Sequence, residues 1–379
     1  DTTRFIFFYY NKIYTTIYSE EKQNIFIYKR HLKNEHLAIA TKLFNADLLL
    51  LDSTRQVMDF DERKETYSDL AIDNHGNFLF ARETKKGFRD NNSQLNIFLH
   101  KKGVDSFKNY SISLNGKFIE EVFIKVDNLN KQYIVNSFYY GKARGSIEGL
   151  FTSLIDIDGI RSIKAVYNAF SDSLRAKLNS SDQSGFVFDN LSVRNIFVKK
   201  SGGFILTAEN FYTESLFNNN WNRQYYYNYI PSSTSDYYLS NPYYYGYRPA
   251  NRYGRQREQS VRHYYDDIVV VSLGSNLQLE WNNIIHKKQY DVDNDNYLSF
   301  STMNAGQEVH FFFIDKDKNK QIISNHSIFP SGEIKRYPTL KSVATGYGFM
   351  PRLAKQTGAK EMIIPYTYLG SVGFAKINF

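Results

Sequence analysis

The chain repeats one short grammar, and that grammar limits what it can fold into. An aromatic or β-branched strand runs into an Asp/Asn/Gly turn, a second strand follows, and after a longer connection comes a third, often ending in Asp. The clearest copies are SDLAIDNHGNFLFARE (68–83) followed by QLNIFLHKKG, EEVFIKVDNLNKQYIVNSF (120–138) followed by GLFTSLIDIDGIR, SVRNIFVKKSGGFILTAENF (192–211), and KKQYDVDNDNYLSFS (287–301) followed by EVHFFFIDKDKN. DDIVVVSLGSNLQLEW resumes the third copy after a long interruption, and TLKSVATGYGFMPRLAK and EMIIPYTYLGSVGFAKINF close the chain.

The turns Asn74-His75-Gly76, Asn128-Leu129-Asn130, Ser201-Gly202-Gly203 and Asn294-Asp295-Asn296 serve as markers. They are separated by about 54, 73 and 93 residues, and removing the interruption of roughly 50 residues brings the last to about 43. A period of this size with three or four strands per copy predicts the blades of a β-propeller. The expected architecture is all-β: a single propeller domain over 1–379, of about six blades with five to eight compatible, and one long insertion at 211–265 inside one blade. The N-terminal segments TRFIFFYY, IYTTIYS, QNIFIYKR and ADLLLLD add strands, one of which is expected to complete the last blade. A helical pattern is confined to 162–178, where Ile163, Val166, Tyr167, Phe170, Leu174 and Leu178 fall near i, i+3, i+4 spacing.

The interruption is the second informative feature. It reads FYTESLFNNNWNRQYYYNYIPSSTSDYYLSNPYYYGYRPANRYGRQREQSVRHYY and holds 14 of the 31 tyrosines. It has neither the twofold nor the 3.6-residue period, so no regular element is expected in it. Tyr and Arg offer large contact area with polar tips and are enriched at binding hot spots. The candidate partner-binding residues are therefore Tyr225, Tyr226, Tyr227, Tyr229, Tyr243, Tyr244, Tyr245, Tyr247, Arg248, Arg252, Arg255, Arg257 and Arg262.

Charge sharpens this. The chain carries +8, and residues 215–265 contribute six Arg against Asp236 and Glu258, half of the excess. A nucleic-acid binder would spread its basic residues over a face, so no nucleic-acid partner is expected. With no cysteine there are no disulfides, thiolate–zinc sites or thiol nucleophiles. The chain begins at Asp1 without Met and reads as a mature or trimmed product. The strongest apolar runs, 48–51 and 268–271, are of strand length, so no membrane-spanning helix is expected. Phe379 ends an alternating strand, as outer-membrane barrels commonly do, but the strands read as shorter than the roughly 9–11 residues that span a bilayer.

Catalytic patterns are missing. DVDNDN (291–296) alternates oxygen ligands but has Asn296 and Thr302 where a calcium loop needs Gly and Glu; it and DKDKN (315–319) read as Asx-rich hairpin turns. Asp156/Asp158 and Asp59/Asp61 pair carboxylates where a strand enters a turn, which Asp favours without any chemistry. The eight histidines show no metal spacing, and no nucleophile elbow or phosphate loop is present. The expectation is a binding protein, with no enzyme activity, cofactor or metal.

The DIVVVSL-to-LEWNNII run, the DVDNDNYLSF segment, the Tyr/Asn insertion and the closing VGFAKINF resemble large secreted propeller-like proteins of gliding, type 9-secreting bacteria. Within that group the chain looks most like the family of periplasmic plug subunits of the type 9 secretion translocon. The resemblance implies a periplasmic, non-enzymatic protein, associated with the outer membrane without spanning it. Its partner would be the outer-membrane translocon barrel, in a hetero-complex rather than a homo-oligomer, and it would close the barrel's periplasmic mouth. The alternative is a secreted propeller that binds or processes carbohydrate.

Overall fold

A computed structural model describes residues 14–87, 90–157, 164–180, 190–215, 261–292, 294–317, 320–340 and 346–379. They are almost entirely β, and antiparallel pairing dominates throughout. The topology is that of propeller blades: successive meanders in which each strand pairs with the next. The chain divides into two compact units.

The first unit holds three meanders. β1 (Thr15–Tyr18), β2 (Asn24–Lys33), β3 (His36–Asn45) and β4 (Leu50–Asp59) form one sheet in chain order. β5 (Glu65–Tyr67) and β6 (Ala71–Ile72) both pair with β7 (Phe78–Lys85), which continues through β8 (Asn92–His100) to β9 (Phe107–Ile112). The short β10 (Phe118–Ile119) then bridges β8 to the third meander, β11 (Phe123–Asp127), β12 (Gln132–Tyr140), β13 (Ile147–Asp156) and β14 (Lys164–Ala169). Three of the four N-terminal segments thus build their own sheet, and TRFIFFYY lies outside the described residues.

The second unit begins with α1 (Asp172–Ser180). It continues with β15 (Leu191–Val198), β16 (Phe204–Ser215), β17 (Val261–Leu273) and β18 (Leu279–Ile285), with β19 (Gln289–Val292) also paired to β17. β20 (Phe300–Asn304), β21 (Val309–Asp317), β22 (Lys320–Ile328) and β23 (Ile334–Leu340) form the next meander. In the last sheet β24 (Gly348–Phe349) and β25 (Lys355–Gly358) both pair with β26 (Glu361–Tyr368), and β27 (Ser371–Asn378) forms the other edge. No sheet closes on itself among the described residues, unlike the single closed sheet of a membrane barrel. Phe379 instead packs on His310 and Phe312, at 4.9 and 5.4 Å between rings. No helix among the described residues is long and apolar enough to cross a membrane.

The expected helix at 162–178 is corrected. Its first half is β14, because Val166 and Tyr167 complete the β13 ladder opposite Thr152 and Phe151. Helix begins only at Asp172, where Leu174 and Leu178 become buried.

The Asx turns explain why the first strands end in Asp. Asp73 Oδ1 accepts the His75 and Asn77 N–H groups at 2.9 Å, and its Oδ2 accepts Asn77 Nδ2 and the Tyr133 hydroxyl. Asp127 repeats the device with Asn130 and Gln132. Such side chains replace the hydrogen bonds that a buried turn would otherwise leave unmade. Successive turns are also tied together within the first unit. Asn24 Nδ2 donates to the Asn74 carbonyl, the Asn74 N–H to Asn128 Oδ1, and Asn130 Nδ2 to the Lys199 carbonyl. The first three marker turns each close a hairpin between paired strands, β6–β7, β11–β12 and β15–β16. The fourth does not: 294–296 joins β19 to β20, strands of different sheets, so DVDNDN is no hairpin turn. DKDKN does lie at the β21–β22 hairpin.

A buried acid crosses the joint between the second and third meanders. Glu83 on β7 is 4% exposed and accepts the Thr66 hydroxyl, Asn92 Nδ2 and the Val122 N–H. Burial outweighs these donors and pushes its carboxyl up to about 7. The folded state then holds a proton that the unfolded chain releases above about pH 4.3. Its stabilising effect is complete below that pH and is lost as pH rises through about 7. At about 1.4 kcal/mol per pH unit, the loss is on the order of 4 kcal/mol. Urea melts between pH 5 and 8 should show this decline, and Glu83→Gln should flatten it whatever its effect on stability at pH 5.

Candidate functional site

β16 and β17 flank the tyrosine-rich insertion, and they form the longest ladder among the described residues. Their pairing runs from Phe204↔Leu273 to Ser215↔Val261, with one irregularity between Glu209 and Phe211. The ladder is started by Gly203 at φ +74°, where a Cβ would come within 2.3 Å of the Leu273 carbonyl oxygen. β16 and β17, which flank the tract, are neighbouring strands of one sheet. The tract's bounds are corrected: 211–215 and 261–265 are paired strand, because Phe211, Tyr212 and Thr213 face Tyr265, Tyr264 and His263 in register. These ends form a stem. Residues 216–260 lie outside the described residues, and with them every candidate contact residue except Arg262.

One face of the stem is anchored by buried charge. Glu209, on a strand buried from Phe204 through Asn210, has no exposed surface. Arg194 on β15 reaches its Oε2 with two nitrogens, at 2.6 and 2.8 Å, and Lys287 Nζ lies 2.6 Å from its Oε1. The Ser299 hydroxyl adds a fourth contact at 2.7 Å. Burial raises the Glu209 carboxyl, but Lys287 and Arg194 more than reverse this and hold it below the ordinary range. Lys287 is pulled below its ordinary value by burial, against the Glu209 charge. It donates as well to the Tyr265 carbonyl and Gln289 Oε1.

Tyr265 passes the anchor on. Its buried ring lies near the Arg194 and Arg352 guanidinium groups, at 5.6 and 5.9 Å, where cation–π attraction operates. Its hydroxyl donates to Asp295, which Arg352 grips through two nitrogens at 2.6 and 3.0 Å. Burial would raise Asp295, but the guanidinium holds its carboxyl below the usual value. Asp295, in the segment whose alternating oxygen ligands fall short of a calcium loop, is an ion-pair partner. No cluster of three metal-ligating side chains occurs among the described residues.

The opposite face is an aromatic rail. Tyr212, Tyr264 and Tyr290 stand in register on β16, β17 and β19. Tyr212 and Tyr264 stack at 4.5 Å and 11°, and Tyr290, half-exposed, follows at 6.0 Å. Arg262 lies over the Tyr290 ring and donates to the Tyr264 hydroxyl, which donates to Glu214. The predicted contact residue Arg262 therefore sits on the stem rather than in a loop. Stacking covers one face of each ring of the pair.

Asp59 and Asp61 are each engaged locally. Asp61 caps its own turn by accepting the Arg63 N–H, and Asp59 lies beside His36. Asp156 ends β13 opposite Gln132, and Asp158 lies outside the described residues. The sequence reading missed Glu209, Arg194, Lys287 and Arg352. Glu209 was detectable as a lone acid inside the apolar run FILTAENF, but its partners are remote in sequence.

No protein-family model matches the chain, and no curated protein matches it. Similar solved structures include prolyl oligopeptidase B from Galerina marginata, at 10% identity and TM-score 0.43, over 97% of this chain and 40% of that one. A Synechocystis apocarotenoid oxygenase mutant matches at 8% identity and TM-score 0.36, over 97% of this chain and 61% of that one. A eukaryotic initiation factor matches at 9% identity and TM-score 0.35, over 96% and 65%. The chain thus spans less than two thirds of the length of each, and likenesses this distant transfer no activity.

Loss of the central acid should be severe, since it leaves Arg194 and Lys287 buried without a counter-charge. Breaking a buried ion pair from one side costs about 3–5 kcal/mol. Glu209→Gln should destabilise by this amount in urea titration, and adding Lys287→Met should recover part of the loss.

Proposed function

We propose that this chain is a non-enzymatic binding protein that docks through its tyrosine-rich insertion and stem. Its partner in this reading is a large outer-membrane secretion barrel, whose periplasmic opening it closes. The observation that carries the proposal is the stem itself. A mobile surface loop needs no foundation, whereas this insertion leaves from a ladder held in register to Ser215↔Val261 and pinned by a buried ion network. Anchoring lowers the entropy lost when a contact segment is immobilised on a partner.

The composition of the insertion suits a polar barrel lumen, where Tyr, Asn and Arg find hydrogen-bond partners. Arg252, Arg255, Arg257 and Arg262 would meet carboxylates, for which the guanidinium fork is shaped. Tyr225 to Tyr227 and Tyr243 to Tyr245 would supply area. The carbohydrate-binding alternative draws less support from the stem. Sugar platforms need open ring faces, whereas Tyr212 and Tyr264 each give one face to the other and Tyr290 carries Arg262 over its ring.

Replacing residues 216–260 with an Asn-Gly turn tests the proposal. The shortened protein should melt within about 1 kcal/mol of the parent, as expected for loop changes outside the core, and should no longer co-purify with an envelope barrel. Unchanged co-purification would remove the insertion from the docking surface.

A further inference from the structure

In the run Leu48-Leu49-Leu50-Leu51, which reads as a strand from the sequence, Leu48 and Leu49 lie in the tip of the β3–β4 hairpin and Leu50 and Leu51 open β4. The four leucines are 69, 63, 54 and 39% exposed. Leu50 and Leu51, successive residues of β4, point to opposite faces, so exposure of both leaves this end of the strand uncovered on both sides, and the more exposed Leu48 and Leu49 lie beyond it. The core contacts of these strands end before the tip, at Leu43.

The tip is rigidly built. Asn45 Oδ1 accepts the Asp47 and Leu49 N–H groups at 3.1 and 2.8 Å, the Leu48 N–H donates to the Asn45 carbonyl, and the Asn45 N–H donates to the Leu49 carbonyl. Leu48 stands at φ +62°, in the left-handed region that favours Gly or Asn. Leu277 adopts a similar φ of +65°, but its side chain is buried and contributes to the core. Leu48 gains nothing comparable among the described residues. Strain and four exposed apolar side chains therefore coincide on one rigid projection, which is how contact sites are marked.

The neighbouring charges choose among occupants. Asp47 is exposed immediately before the leucines, and Asp52 follows them with one oxygen accepting the Gly103 N–H at 3.1 Å. That bond sets the β8–β9 turn, with Lys101, Lys102 and half-exposed Val104, next to β4. A lipid surface would have to take Asp47 in along with the leucines, and a carboxylate at that depth is costly. A protein groove can meet it with a cation.

We infer that the 45–51 hairpin tip is a second docking site, in the first unit and independent of the insertion, that seats in an apolar groove of a partner protein with a lysine or arginine opposite Asp47. The probe is a photo-crosslinking benzoylphenylalanine at Leu49, introduced into the full chain in its native cells. The adduct is identified by mass spectrometry, and that protein is then purified and titrated against parent, Leu49→Asp and Asp47→Lys chains. The inference expects a discrete protein adduct. It also expects at least a tenfold loss of affinity for Leu49→Asp, a three- to tenfold loss for Asp47→Lys, and melting curves equal to the parent's. Four results would each overturn it: no protein adduct; an adduct whose affinity ignores both substitutions; crosslinking only to this chain's own residues 1–13 or to a second copy; or flotation with zwitterionic vesicles that Leu49→Asp abolishes.

Discussion

A carboxylate with no access to water determines how the middle of this protein is built. Glu209 can stay ionised only while Arg194 and Lys287 reach it together, and each cation comes from a different segment of the chain. β15, β16 and the link between β18 and β19 are thereby fixed to one another at a point apolar packing alone would leave adjustable. Such an arrangement adds little net stability over an apolar core of the same shape. It specifies register, and here the register specified is that of the two strands carrying the insertion. Tyr265 and the Asp295–Arg352 pair carry the same constraint onward to the edge of the ladder.

The structure uses polar groups differently in its two units. In the first, Asp73 and Asp127 satisfy the turns locally, and the turns then hydrogen-bond in succession. These are short-range devices that close a hairpin and mark a repeat. In the second unit the polar groups are long-range and ionic, and they lie under the one place where the repeat is interrupted. Function on this reading follows the interruption: the meanders supply stiffness, and the stem and the leucine tip supply contact.

The meander grammar was legible because it depends on neighbours in sequence. Asp73 is within four residues of most of its partners, so an Asp before Asn-His-Gly-Asn reads directly as a turn. The insertion was legible by composition, but its stem was not. Phe211, Tyr212, Tyr264 and Tyr265 look like the rest of the aromatic tract, and only pairing across some fifty residues makes them strands. The 162–178 segment shows a related limit. Apolar residues at helical spacing served β14 instead, because the β13 edge offered a ladder for Val166 and Tyr167. Leu48 to Leu51 show the converse, since the first half of an apolar run of strand length became an exposed turn once Asn45 closed it, and only Leu50 and Leu51 joined β4.

Residue-resolved amide exchange along 204–215 and 261–273 tests the central claim most directly. If the buried network anchors the stem, amides paired between Phe211↔Tyr265 and Glu214↔Arg262 will exchange slowly in the parent protein, and Glu209→Gln will release them before the remaining sheets. Exchange at the stem as fast as in an unstructured peptide, or protection unchanged by Glu209→Gln, would contradict it.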